Sequence, residues 1–499
     1  MTHYPIKKIS PHKHQFQTEK MKVPVVLHIS EKLMPGEETL RQLEDVATND
    51  CLFHHIAAMA DVHSKPGRKN ATGTALASEN FIMPQVNDSD PCCGMRMVKT
   101  SLTEDNTTPE EIDCLFQKLT DVVPTKKLVG TQIPFELVVD ICRGGTSALV
   151  EHFGIDTRNE LTNSMSRGNF FGQQMSRRDI FNVIPKLFLF FAQYRLGVLG
   201  AAGNHFLDLM KITDVVDPET ARALGVKKGQ YVFMIHAGSG ILGQYTMYMY
   251  TAKKREHLSQ TLMVELGKLT FQSQIKQAYN NIARKIREHG NKQGLLTYDA
   301  DGVDGRMYMA ARNAASNYGV ANRATIAHNV SQAIKDVLGR DPEMDLLYDM
   351  PHIHIGQEKH FDKNVWVHRN GTTRANGPLG MADHPVFSKT GEPVFVPSSM
   401  STPAYLGVGT DDNRSTFFSS SHGTGLSVFK TEKDVPKNRE ELLKKMKQKG
   451  VNLYNAKSSI VIKQDSAHYK DVSEVIAGME NNKVIKTVAK LQPVSVIMY

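Results

Sequence analysis

Residues 231–243 read YVFMIHAGSGILG, a β-branched and aromatic run that gives way to three spaced glycines. The fold turns on how this stretch is read. Gly238, Gly240 and Gly243 match the GxGxxG spacing of a strand-to-helix turn around a dinucleotide pyrophosphate, and residues 231–235 look like the strand it needs. That reading also demands alternating strands and helices and an acidic residue some way on. No clear alternation follows. Glu256 lies at a plausible distance, but within residues 253–257 (KKREH), which read as helix surface. His236, directly before the glycines, has no part in a dinucleotide fold. Short motifs of this kind often mislead, so a nicotinamide-dependent oxidoreductase is kept as a remote alternative. The sequence has no internal repeat, low-complexity tract or Pro/Ser-rich linker. It therefore predicts one large mixed α+β domain over residues 21–499, preceded by an N-terminal extension at 1–20.

Outward from this stretch, helix and strand signals are mixed. Glu37–Ala47 (EETLRQLEDVA) has apolar residues at helical spacing. Residues 255–289 predict one or two long charged helices, and 307–338 another. Residues 431–450 predict a lysine-rich helix, read as a solvated face in preference to an RNA-binding one. Residues 230–235, 364–368 and Pro393–Val396 predict strands, and Ser419–Ser421 a loop entry. Residues 187–192 (LFLFFA) are too few to cross a bilayer and predict a buried core segment. The N-terminus lacks the apolar region of a secretory signal. Five cysteines in 499 residues argue against a disulfide framework and for a reducing, cytoplasmic setting. With 40% hydrophobic and 22% charged residues, the composition excludes a disordered or collagen-like chain. Lys and Arg number 60 against 52 Asp and Glu, and the net charge of +8 suits a polyanionic partner without requiring one.

Six polar clusters stand beside glycine or proline: residues 59–67 (MADVHSKPG), 88–95 (DSDPCCGM), 203–208 (GNHFLD), 236–243 (HAGSGILG), 349–360 (DMPHIHIGQEKH) and 419–425 (SSSHGTG), the last preceded by 397–400 (PSSM). Asp90 stands three residues before Cys93, so a carboxylate and a thiolate could reach one divalent ion. Of the adjacent Cys92 and Cys93, either could be a ligand or nucleophile, or both could be small buried residues. A single histidine near glycine is more often structural. Several Asp, Cys and His groups in separate loops would, if they converge, make a mixed S/N/O site suited to Zn²⁺ or Mn²⁺.

In this order, the clusters resemble the RtcB family of RNA ligases, which join a 3′-phosphate end to a 5′-hydroxyl end. The resemblance is carried by Asp90-Pro91-Cys92-Cys93-Gly94, residues 196–206 (LGVLGAAGNHF), 236–243, 314–323 (AASNYGVANR), 349–352 (DMPH), 368–375 (HRNGTTRA), 397–405 (PSSMSTPAY) and 422–426 (HGTGL). Asp61-Val62-His63, residues 469–471 (YKD) and 490–493 (KLQP) match as well, so it runs from about residue 20 to the C-terminus.

The resemblance implies two Mn²⁺ ions held by Asp90, Cys93, His205, His236 and His352, with Cys93 bridging. It implies that His422 attacks the α-phosphorus of GTP and carries GMP. Taken on its own residues, His422 could equally be a turn histidine bonded to the serines before it. The implied guanylate pocket comprises Asn204, His205, Phe206, Leu207, Asp208, His352, Ile353, Pro397, Ser398, Ser399, Met400, His422, Gly423, Thr424 and Gly425. The implied partners are RNA with 3′-phosphate or 2′,3′-cyclic phosphate and 5′-hydroxyl ends, and an archease-like activator, with no membrane. Several positions depart from the family pattern. Gly240, Leu426 and Lys430 replace arginines, Ile353 an asparagine, Ala404 a serine, Asp208 a glutamate, and Met498 a nucleotide-contacting lysine. Two readings follow: an active, divergent ligase that draws its phosphate contacts from Arg195, Lys359 or Arg374; or a degenerate metal protein that binds RNA ends or opens cyclic phosphates without GTP-dependent ligation.

Overall fold

The strand Gln230–Ala237 is buried at every position, as its unbroken apolar run requires of a strand covered on both faces. The computed structural model describes residues 4–87, 90–125, 130–200, 204–289, 294–427, 435–455 and 459–498. It sets this strand inside an eight-stranded sheet ordered Asp345–Pro351, Gly94–Thr103, Gln230–Ala237, Phe206–Val215, Ile485–Met498, Ala404–Gly409 and Pro393–Val396, with Asn452–Tyr454 pairing beside Ile485–Met498. Both neighbours of Gln230–Ala237 run antiparallel to it. A dinucleotide-binding fold needs parallel neighbours, so the oxidoreductase reading is corrected. The helix Gly240–Tyr250 does follow the glycines, but their purpose differs. A Cβ on Gly238 would collide with the Asp90 carboxylate, and one on Gly243 with Ser239 and Pro91. The missing side chains admit the Asp90 loop.

A second sheet has seven strands, ordered Lys7–Ser10, Lys13–Phe16, Val25–Leu27, Phe53–His63, Thr72–Ser78, Lys363–Asn370 and Ile353–His360. The first twenty residues thus supply two of its strands, and Phe16 is buried in its core. The chain leaves one sheet edge at Pro351 and enters the other at Ile353. His352 alone bridges them, so the seam between the sheets passes through a candidate site residue.

The helix Val303–Leu338, 36 residues and about 54 Å long, is buried on all sides from Ala314 to Ala327. Its alanines, asparagines and glycine let it pack against Pro109–Val122, Phe135–Gly144 and Gly240–Tyr250. Glu37–Ala47 is helical as expected. Residues 255–289 resolve into two helices, Leu258–Leu269 and Ser273–His289. Residues 253–256 lie outside any helix, and His257 is an extended N-cap, so the KKREH stretch is not helix surface. Ser419–Ser421 is a strand paired with Thr372–Arg374, not a loop entry. Within Lys186–Ala192 the side chains of Phe188, Leu189 and Ala192 are buried, while Phe190 and Phe191 are exposed. In the lysine-rich stretch, Arg439–Gln448 is helical with Leu442 and Met446 packed inward; residues 431–434, like Lys430 and Gly203, lie outside the described residues. Among the described residues, no helix is long and apolar enough to cross a membrane.

Candidate metal centre and nucleotide cleft

The loop before Gly94–Thr103 turns sharply: Cys93 N donates to Asp90 O at 3.1 Å, and Cys92 takes φ +58°. That left-handed backbone is costly for a side-chain-bearing residue. It is held by Cys92 N donating to Ile353 O at 3.2 Å and by Arg323 Nη1 donating to Cys92 O at 2.6 Å. The turn sends the two thiols apart. Cys92 Sγ packs on Arg323 Nη2, 3.6 Å away, whereas Cys93 Sγ lies 3.2 Å from His205 Nε2 and 3.3 Å from His236 Nε2. His236 Nε2 is in turn 3.3 Å from His352 Nε2.

Sheet register builds this cluster. His236 pairs with Met95 on one side and Phe206 on the other, so Cys93 and His205 flank it. His352 N donates to Cys93 O at 2.9 Å, which ties the seam to the loop. His205 Nδ1 faces Leu199 O at 2.5 Å and His236 Nδ1 faces Asn204 O at 2.9 Å. A carbonyl can only accept, so the proton sits on Nδ1 and Nε2 presents a lone pair. Burial pulls all three imidazoles below the usual histidine range. Burial and the Asp90 charge push the Cys93 thiol well above its usual value. Converging buried lone pairs repel one another unless a cation lies between them, and this donor set fits a divalent metal. Two overlapping triads, Cys93–His236–His352 and Asp90–Cys93–His205, each hold their donor atoms within 4.8 Å of one another. Asp90 Oδ1 accepts from Ser239 N at 2.8 Å and from the Ser239 hydroxyl, which fixes the carboxylate's orientation.

His422 stands next to these triads, its ring centroid 4.7 Å from that of His352. Its Nδ1 and backbone N both donate to Asp61 Oδ2, at 2.7 and 3.1 Å. The serines before it do not hold it. Nε2 is thereby left as the free lone pair. Asp61 lies on Phe53–His63, and Lys470 Nζ clamps the carbonyls on either side, Ala60 O at 3.0 Å and Val62 O at 2.7 Å. Burial lowers Lys470 to about 8. A Cβ at Gly425 would strike Asp61 O, so that glycine lets the two segments meet. No role for Asp61 follows from the sequence alone, although the block Asp61-Val62-His63 was its signal.

A cleft of about 240 Å³ opens onto His422. Asn204, Phe206, Pro397–Met400 and His422–Gly425 line it, as the resemblance implies, together with His63, Lys65, Met95, His236, Leu426, Gln464, Tyr469 and Met498. The other expected pocket residues do not line it. His205 and His352 turn to Cys93. Leu207 faces the opposite side of the sheet and is fully buried. Ile353 contributes its carbonyl to Cys92 N and Arg312 Nη2. Asp208 is buried one step along the strand, its carboxyl pushed well above the usual range by burial.

The fifth cluster divides. Only His352 reaches the centre; Asp349 is gripped by Arg323 and Arg96, and His360 pairs with Glu358. Arg323 Nη1 also donates to Ala237 O at 2.8 Å, and Asn322 Nδ2 to Gly238 O and Val198 O, both at 3.0 Å. Thus the buried middle of Val303–Leu338 pins three ligand-bearing segments at once.

A sequence model of the RtcB family, described as tRNA-splicing ligase RtcB, matches residues 42–499. The chain belongs to the RtcB family. The protein named tRNA-splicing ligase RtcB from Thermococcus kodakarensis is 27% identical over 96% of this chain and 95% of its own length. The one from Methanococcus maripaludis is 28% identical over the same shares. RNA-splicing ligase RtcB homolog 2 from Entamoeba dispar is 28% identical over 92% of this chain and 83% of its own.

Within this RtcB-family chain two of the departures lie on the cleft wall. Leu426 and Met498 line it with apolar surface. Gly240 has φ +55° and open space around it. The cations expected to compensate are elsewhere: Arg374 forks onto Glu392, Lys359 is exposed on Ile353–His360, and Arg195 does not line the cleft.

Proposed function

We propose that the protein joins RNA 3′-phosphate or 2′,3′-cyclic phosphate ends to 5′-hydroxyl ends, using GTP and two Mn²⁺ ions, through GMP held on His422. Membership of the RtcB family makes the chain an RNA ligase enzyme. The observation that carries the finer reading is the His422–Asp61 pair beside the two cysteine-sharing triads. Asp61 keeps the proton on Nδ1, so Nε2 is the nucleophilic lone pair, as in other carboxylate-oriented histidines. Nε2 bonds to the α-phosphorus of GTP while the bond to the β-phosphate oxygen breaks and pyrophosphate leaves. The RNA 3′-phosphate then takes GMP from Nε2, and the 5′-hydroxyl displaces GMP as the RNA ends join. A cyclic phosphate is opened by water at the same site beforehand. Asp90, Cys93, His205, His236 and His352 would hold the ions, which when bound polarise phosphate oxygens and neutralise developing charge. The Gly423–Gly425 backbone, bare of bulky side chains, suits close approach to phosphate.

The test is incubation with labelled GTP and Mn²⁺, then with RNA carrying a 2′,3′-cyclic phosphate and a 5′-hydroxyl. A covalent GMP adduct is expected in the wild type and not in His422→Ala, and joining should require GTP. An adduct that survives in the variant would remove the nucleophile assignment. Cyclic-phosphate opening with no joining would replace ligation by hydrolysis.

A further inference from the structure

Lys65 is the one lysine or arginine among the described residues lining the cleft beside His422. It stands two residues beyond the strand that carries Asp61. Lys65 O accepts from Arg68 N at 3.2 Å, Pro66 comes second and Gly67, with φ +73°, third. That is the pattern of a type II turn, in which the third residue must take positive φ. Gln42 Nε2 donates to Lys65 O at 3.2 Å as well. The backbone is therefore anchored. The ammonium, by contrast, has no hydrogen-bond or ion-pair partner among the described residues. Burial and the neighbouring Arg68 charge lower it from the usual lysine value, against the smaller pull of Cys93 and Asp61, so an arriving anion would be the partner it lacks.

We propose that Lys65 is the cation that grips the triphosphate of the nucleotide beside His422, in place of the arginines absent at Gly240 and Leu426. The inference rests on the ligase reading of the same cleft. A triphosphate carries several negative charges, and among the described residues the rest of the wall offers hydroxyls, backbone N–H groups and imidazoles but no other lysine or arginine. Arg323 is committed to Asp349, Cys92 O and Ala237 O, and Arg374 to Glu392. An ammonium needs proximity to phosphate and not the planar fork of a guanidinium. As Nε2 of His422 bonds to the α-phosphorus and the α–β bridging bond breaks, the departing pyrophosphate takes up charge, and Lys65 is placed to hold it.

The experiment titrates wild type, Lys65→Ala, Lys65→Arg and the surface control Lys7→Ala with inorganic triphosphate, GTP and guanosine, with bound metal measured in each. Labelled-GMP adduct formation is followed in parallel. Lys65→Ala should weaken inorganic triphosphate and GTP about 10- to 100-fold, as loss of a charge-assisted contact does. Guanosine affinity and metal content should stay unchanged, and Lys65→Arg should recover most of the loss. The proposal is overturned if Lys65→Ala binds triphosphate within twofold of wild type, if guanosine weakens equally, or if wild type does not bind inorganic triphosphate. If wild type binds it through Lys65 yet forms no adduct, Lys65 stands and the ligase reading fails. A normal adduct rate in Lys65→Ala at subsaturating GTP does the opposite, removing Lys65 while the ligase reading stands.

Discussion

Asp61 Oδ2 receives two donors from a single residue, His422 Nδ1 and His422 N. A carboxylate has no proton to offer, so it admits only the Nδ1–H tautomer. Asparagine can turn its amide nitrogen toward the ring and stabilise the opposite one, which would remove the Nε2 lone pair. Asp61→Asn should therefore slow GMP-adduct formation by about 100-fold or more, with bound metal unchanged. Rapid-quench measurement of the adduct checks this, and a rate within threefold of wild type would rule the tautomer role out. Cys93 makes a contrasting prediction. It is the one residue common to both triads, so Cys93→Ala should empty the site of metal by elemental analysis, whereas Cys92→Ala, which removes a thiol facing Arg323, should not. The sequence could show that one of two adjacent cysteines was a candidate. It could not show which, because the choice is made by the backbone turn at Cys92.

Among the elements, the Val303–Leu338 helix carries the most unusual load. Arg323 uses Nε and Nη2 on Asp349 and Nη1 on the carbonyls of Cys92 and Ala237. These bonds fasten the Cys93 loop to the end of the His236 strand. Arg323→Lys keeps the charge but can reach only part of this set. It should cost about 3–5 kcal/mol of stability, since it leaves the buried Asp349 and two carbonyls poorly paired, and weaken metal binding by roughly 10- to 100-fold. Metal titration and chemical denaturation measure the two effects, and an unchanged metal affinity would reduce Arg323 to a packing role. Elements with strong local patterns, such as Glu37–Ala47, were legible from the sequence. Ser419–Ser421 was not, because three serines carry no pattern of their own and their strand depends on a distant partner, Thr372 opposite Ser421. The stretch before the glycines was legible as a strand, while the direction of its neighbours, which decides the fold, is not written in local sequence at all.

Across the whole molecule, the basic excess and the cleft are separate matters. A net charge of +8 suits RNA, yet among the described residues only one lysine and no arginine lines the cleft, and the lysines of Arg439–Gln448 surround a helix whose buried side is Leu442 and Met446. A third population, enclosed histidines outside the metal triads, should weaken the fold in acid. Burial holds His28, His63 and His368 down to about 3 and His55 to about 4. His28 meets Asn482, and His368 Nε2 accepts from Met83 N at 3.0 Å, so these neutral rings join distant parts of the chain. An unfolded histidine takes up its proton near pH 6.5. Between about 6.5 and 4 the unfolded chain therefore binds more protons than the folded one, so stability is full above that window and falls as the pH drops through it. Each such histidine costs about 1.4 kcal/mol per pH unit. The four together remove on the order of 5 kcal/mol between pH 6 and 5, a large share of the roughly 5–15 kcal/mol that holds a domain folded. Melting temperature measured on metal-stripped protein should be flat above pH 7 and drop steeply below 6. His28→Gln, which cannot titrate, should lower the starting stability but make that drop less steep by one histidine's share. A melting curve unchanged down to pH 5, or one that His28→Gln leaves just as steep, would show that the enclosed histidines do not govern acid unfolding.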